Sequence, residues 1–192
     1  MLDSLRQTAF LVRDLSEAAE LYRKTLGATP SHTGILPQYG LDNMVLPVGD
    51  GTFIELLQPT SADSSAARYL ERRGESPYML IFETKRFDEL LARLRSLDVR
   101  ITGEAQEEGS RSMFIHPASV NGALMEIVEV TDSGNPWPAA GPDWQTRAAK
   151  PMTKLLRQSA VLVRDLDQAT QRWEEMFALK TTQRFQVSFT DL

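Results

Sequence analysis

The chain contains no cysteine. That absence excludes disulfides, thiolate zinc sites, iron–sulfur clusters and cysteine nucleophiles, and it suits a reducing compartment. Histidine is nearly absent too, with two in 192 residues. A two-histidine, one-carboxylate iron site would have to use both. No apolar run approaches the roughly 18 residues needed to cross a bilayer. The opening MLDSLRQTAFLVRD is charged within three residues and lacks the apolar stretch of a secretory signal. These features predict a cytoplasmic protein with no membrane partner. Positive charge is in deficit, 21 bases against 26 acids. A nucleic-acid binder needs a basic stripe, so none is expected as a partner. Also missing are a phosphate-cradling glycine loop, a Ser-His-Asp order and a CxxC pair.

What is present is enough apolar residue, 42%, to build a core, and an internal repeat. Residues 5–18 read LRQTAFLVRDLSEA and residues 156–169 read LRQSAVLVRDLDQA, with ten of 14 positions identical. In the first unit, strand Gln7–Val12 precedes Ala18, Leu21, Tyr22 and Leu26 at helical spacing. Asp14 or Ser16 can cap that helix and Gly27 can stop it. Further strands are expected around Met44–Pro47 and Thr52–Leu57. A fainter copy starts at Ser76–Thr84. It continues with a helix through Phe87, Leu90, Leu91, Leu94 and Leu97, and with strands near Val99–Thr102, Ser112–His116 and Ala123–Val130. The pattern predicts an α+β fold of β-α-β-β-β modules over about 4–60 and 76–130, joined by a short helix within 61–75. Together they make one domain over residues 1–130.

Residues 131–154 hold four of the ten prolines and two of the three tryptophans. Proline cannot donate to a sheet ladder, so this segment is read as a linker. Trp137 or Trp144 either lids a cleft or anchors the linker. A third unit then begins, covering 155–192, with strand Gln158–Val163, a helix carrying Ala169, Trp173, Met176 and Phe177, and Arg184–Phe189. Its later strands are missing, which predicts a truncated module or one completed by a second copy in a homodimer.

Strand alternation picks out Gln7, Glu55 and Glu126 as polar residues on the sheet face opposite the helices. Such groups are costly unless hydrated, paired or bound. Gln7 to Glu55 spans 48 residues; Met79, the repeat's match to Gln7, lies 47 before Glu126. Two related units would thus present four corners to one hollow. His32 is read as part of a polar loop, His116 as a turn residue, and Arg72 and Arg73 as exposed charges able to meet an anionic ligand. Glu107 to Arg111 is read as a loop over the site.

The repeat and these motifs resemble the vicinal-oxygen-chelate superfamily, which includes glyoxalase I, methylmalonyl-CoA epimerase and bleomycin-resistance proteins. LRQTAFLVRDLSEAAELYRKTLGA resembles the glyoxalase I opening, while GTFIELLQP, SSAARYLERRGES and FIHPASVNGALMEIVE are more similar to the epimerase branch. The resemblance implies paired modules forming a half-open barrel. It also implies a divalent metal ion (Mg, Mn, Co, Ni or Zn) held by Gln7, Glu55 and Glu126, with Met79 where histidine is usual. It makes Glu126 the candidate catalytic base and Glu55 its partner or a ligand. The implied activity is a lyase or isomerase acting on a small α-carbonyl thioester through a metal-stabilised enediolate. The alternative is a non-catalytic, resistance-type module that binds a small molecule in a degenerate metal site.

Overall fold

A computed structural model of the chain describes residues 1–131, 134–147 and 151–186. Each of the first two repeats folds as strand, helix, then three strands. The first comprises β1 Ser4–Leu11, α1 Leu15–Leu26, β2 His32–Leu36, β3 Leu41–Pro47 and β4 Phe53–Pro59. After α2, Ser65–Arg73, the second follows with β5 Ser76–Glu83, α3 Phe87–Ser96, β6 Ile101–Glu107, β7 Ser110–Ile115 and β8 Leu124–Val130. All eight strands join one sheet in the order β2-β3-β4-β1-β5-β8-β7-β6, curled into a half-barrel.

Helix α1 starts where Asp14, in extended backbone, accepts the Glu17 N–H at 2.8 Å. It ends at Gly27, whose φ of 67° suits a residue without a Cβ. Its buried stripe, Leu15 and Ala19, packs against Val12, Ile54 and Leu56. Leu90 and Leu94 of α3 pack in the same way against Met125 and Ile127. From Gln7 onward in β1, where the register shift after Leu5 is past, the even-numbered residues of β1 and β4 and the odd-numbered ones of β8 therefore face the helices. Each fully buried leucine there contributes roughly 1.5–3 kcal/mol.

The two modules meet through antiparallel β1 and β5, where Gln7 faces Ile81 and Ala9 faces Met79. On the outer side of each strand the match continues in parallel: Gln7 lies beside Phe53 of β4, and Met79 beside Leu124 of β8. A pseudo-twofold between β1 and β5 thus pairs Gln7 with Met79 and Glu55 with Glu126.

Several local expectations change. His32 does not sit in a loop; it opens β2, an edge strand too poor in apolar residues to show a strand pattern. Strand β6 starts two residues later than expected and runs on to Glu107 through the polar stretch GEAQE. The Glu107–Arg111 segment is a tight hairpin, with β6 Glu107 paired to β7 Ser110, and, as expected of it, it borders the hollow of the sheet. Arg111 is fixed there by Asp88 at 2.9 Å and Glu129 at 2.7 Å.

In the third unit the helix forms as α5, Leu166–Phe177, but Gln158–Val163 joins no strand. The expected Arg184–Phe189 strand lies partly outside the described residues. Instead of extending a sheet, α5 docks Met176 and Phe177, both fully buried, into the core of the second module. Between β8 and α5 runs a strap with a short helix α4, Trp144–Arg147. It is tied to the first module by Met152 N–H to the Leu26 carbonyl at 2.8 Å and Leu156 N–H to Thr52 Oγ1 at 2.7 Å.

Candidate active site

The curled sheet encloses a cleft of roughly 980 Å³, and Gln7, Glu55, Met79 and Glu126 all line it. The four corners expected from the repeat therefore meet in one hollow. β1 and β4 bring Gln7 and Glu55 into contact, and the Gln7 Nε2 amide donates to Glu55 Oε2 at 2.9 Å. From β3, Asn43 Nδ2 donates to the other carboxylate oxygen, Oε1, at 2.8 Å. The Trp137 indole N–H donates to Gln7 Oε1 at 2.9 Å. Indole nitrogen can only donate, so it fixes the direction of the whole chain of bonds, from Trp137 through Gln7 to Glu55.

All three partners are buried: Gln7 is 1% exposed, Glu55 6% and Trp137 1%. Burial pushes the Glu55 carboxyl above the ordinary carboxylate range, opposed by its two amide donors. Glu126 is pushed up to about 8, first by burial and then by the charge of Glu55, with the Ser112 hydroxyl acting against both. Tyr39, its ring tilted against Phe114 with centroids 5.7 Å apart, has its hydroxyl raised by burial and then by the charge of Glu126.

Two of these roles are not among those read from the sequence. Asn43 is legible in principle, as a polar residue between buried Leu41 and Val45 on one strand face. The Trp137 bond to Gln7 is not, because the two lie 130 residues apart. Trp137 both anchors and lines: it stacks on Phe53 at 6.1 Å and walls the cleft, while Trp144 meets Phe53 edge-on at 5.0 Å. His32 also lines the cleft. His116 is a turn residue, its Nδ1 accepting the Ala118 N–H at 3.1 Å. Arg72 and Arg73 close the C-terminal end of α2, away from the cleft, which is lined instead by the other end of that helix.

The model for a glyoxalase-like domain matches residues 8–177, a span that runs through the strap and α5. The chain belongs to this glyoxalase-like family of the vicinal-oxygen-chelate superfamily. Among glyoxalase-like relatives, the ethylmalonyl-CoA/methylmalonyl-CoA epimerase of Cereibacter sphaeroides is 30% identical over 68% of this chain and 100% of its own length. Human mitochondrial methylmalonyl-CoA epimerase is 28% identical, covering 66% of this chain and 73% of that protein. A variant of Streptomyces coelicolor methylmalonyl-CoA epimerase, solved in complex with 2-nitronate-propionyl-CoA, superposes with a TM-score of 0.64 at 28% identity. That match covers 69% of this chain and 100% of the other.

The metal ion implied by the resemblance can be tested against the donors. Gln7 Oε1 is taken by an indole N–H, both Glu55 oxygens by amide N–H groups, and the third corner is the Met79 thioether, which suits soft ions, leaving the Glu126 carboxyl as the one hard ligand outside this network. Among the described residues no cluster of three or more His, Cys, Asp or Glu is arranged to hold an ion. The residues present do not fit a hard or borderline divalent ion at these corners.

Proposed function

We propose that the chain is an isomerase that inverts a carbon next to the carbonyl of a small acyl-CoA thioester. The observation that carries this reading is the carboxyl pair. Glu55 and Glu126 are pseudo-twofold equivalents facing one cleft, and the Glu126 carboxyl is pushed up to about 8. Inversion needs a proton removed from one face of the carbon and one supplied to the other. Glu126 is the base from its side: the C–H bond breaks, the proton passes to the carboxylate, and the electron pair moves into the carbonyl to leave an enolate. The pair holds one proton, which rests on Glu126. In the direction where Glu126 is the base it lies on Glu55, which returns it to the opposite face; in the reverse direction Glu55 is the base and Glu126 the acid. A carboxyl whose pKa approaches the working pH is matched to both halves of that cycle. The Tyr39 hydroxyl is the donor we assign to the enolate oxygen. The epimerase relatives support the thioester as substrate class.

The test is exchange of the α-hydrogen of methylmalonyl-CoA in D₂O, followed by mass spectrometry. It is run with EDTA and, separately, with each of Mg²⁺, Mn²⁺, Co²⁺, Ni²⁺ and Zn²⁺. Deuterium uptake in any of these, lowered at least 100-fold by Glu126→Gln, is expected. Binding without exchange in all of them would replace this reading with the resistance-type binding module, which the indole and thioether at two corners favour.

We also propose that a second copy pairs with Gln158–Val163. No helix among the described residues is long and apolar enough to cross a membrane, and the cysteine-free chain suits the cytoplasm.

A further inference from the structure

We propose that Trp137 is a positioning residue that excludes a metal ion from this cleft. It does so by taking up the one oxygen of Gln7 that could act as a ligand. The inference rests on the geometry at the corner and not on the isomerase reading. Several observations converge. The indole N–H points at Gln7 Oε1 at 2.9 Å, inside a contact that leaves Trp137 1% exposed. That bond turns the Gln7 amide so that its N–H₂ faces Glu55, presenting a donor where an ion would need an acceptor. Asn43 gives Glu55 a second N–H, so the carboxylate is satisfied without a cation.

The indole is also locked from the other side. The Arg6 guanidinium lies 4.9 Å over the Trp137 ring and donates to the neighbouring Pro136 carbonyl at 3.0 Å. Phe53 stacks on the ring, and Asn135 Oδ1 accepts the Trp137 backbone N–H at 3.1 Å. An ion reaching Gln7 Oε1 would have to break the indole bond, turn the amide over and strip the Gln7 N–H donor from Glu55. The strap thereby does for this corner what a metal ion would do elsewhere: it holds Gln7 and Glu55 in fixed orientation. The charge that organises the corner comes from N–H dipoles.

The test reads ion binding and needs no turnover. Co²⁺ is titrated by visible absorption and Mn²⁺ by broadening of the indole N–H signals, the Trp137 signal being assigned by elimination with Trp144→Phe and Trp173→Phe. For the unaltered protein, Co²⁺ affinity no tighter than millimolar and a Trp137 signal untouched by Mn²⁺ are expected. Trp137→Phe keeps an aromatic ring against Phe53 and removes the N–H donor together with the five-membered ring that carries it. It is expected to tighten Co²⁺ binding at least tenfold, and the gain is expected to vanish when Gln7→Ala is added. Micromolar binding of one ion by the unaltered protein, lost in Gln7→Ala, would overturn the proposal. So would a Trp137→Phe protein that folds and binds Co²⁺ no better. If that variant does not fold, the Mn²⁺ experiment decides alone: selective loss of the Trp137 signal at stoichiometric Mn²⁺ refutes ion exclusion, and a signal that persists upholds it. A failure of the isomerase reading leaves these outcomes unchanged.

Discussion

Two carboxyl groups facing one hollow cannot both ionise freely, and the cost falls on the one with fewer donors. Glu55 has two amide N–H partners, whereas Glu126 faces Glu55, Glu107 and the Tyr39 hydroxyl with the Ser112 hydroxyl as its one lowering contact. Its pKa of about 8 in the fold lies well above the ordinary value of 4.5. The folded state therefore keeps a proton that the unfolded chain releases. This contribution to stability is fully present below the ordinary carboxylate value and is lost as pH rises from there through about 8. A tenfold change in proton affinity is worth about 1.4 kcal/mol, so the loss is on the order of a few kcal/mol. Thermal melts from pH 5 to 9 are expected to show it, and Glu126→Gln is expected to flatten the profile over that range. A profile unchanged by the substitution would assign the pH dependence elsewhere. Asn43 sets the opposite sign at Glu55. Asn43→Leu leaves a buried carboxylate oxygen bare and is expected to cost about 2 kcal/mol in urea unfolding, more at pH 8 than at pH 5.

Elements place these side chains, and the strap is the element that periodicity could not read. Its prolines announce a segment outside any ladder, but nothing in its pattern points to a partner 130 residues earlier. Alternation, by contrast, reads the facing of β1, β4 and β8 correctly, because burying alternate residues against α1 and α3 is what makes those strands. It fails for β2 and β6, edge strands whose polar residues are tolerated by solvent on one side. The strap passes close over Gly49, in left-handed backbone at φ 113°. A Cβ there would lie 1.9 Å from the Lys154 carbonyl oxygen. Gly49→Ala is expected to destabilise by about 2 kcal/mol or more and to expose the strap to proteolysis. Arg6→Met, which removes the latch over Trp137 without touching the strap's other end, is expected to raise cleavage near Pro136 while leaving the far tether protected. Equal cleavage at both ends would mean that the strap comes off as one unit.

At the scale of the molecule, duplication explains why so much was visible. A pseudo-twofold forces equivalent positions into one hollow, so two offsets of 48 and 47 residues sufficed to find the four corners. The third copy of the motif shows the limit of that logic. Gln158–Val163 repeats the sequence of β1, yet it joins no strand: with α5 docked on the second module, Val161 packs against that module's core instead of entering a ladder. Leu162, the counterpart of buried Leu11, stands 99% exposed in a stretch rich in strand-forming residues. An unpaired segment of this kind is a template for another chain. If a second copy pairs with it, light scattering after gel filtration will give twice the monomer mass. Leu162→Pro, which removes a ladder N–H without altering the described core, is expected to return the protein to monomer with its melting temperature shifted only by the lost association. A wild-type protein that stays monomeric at high micromolar concentration would leave that segment without the partner proposed for it.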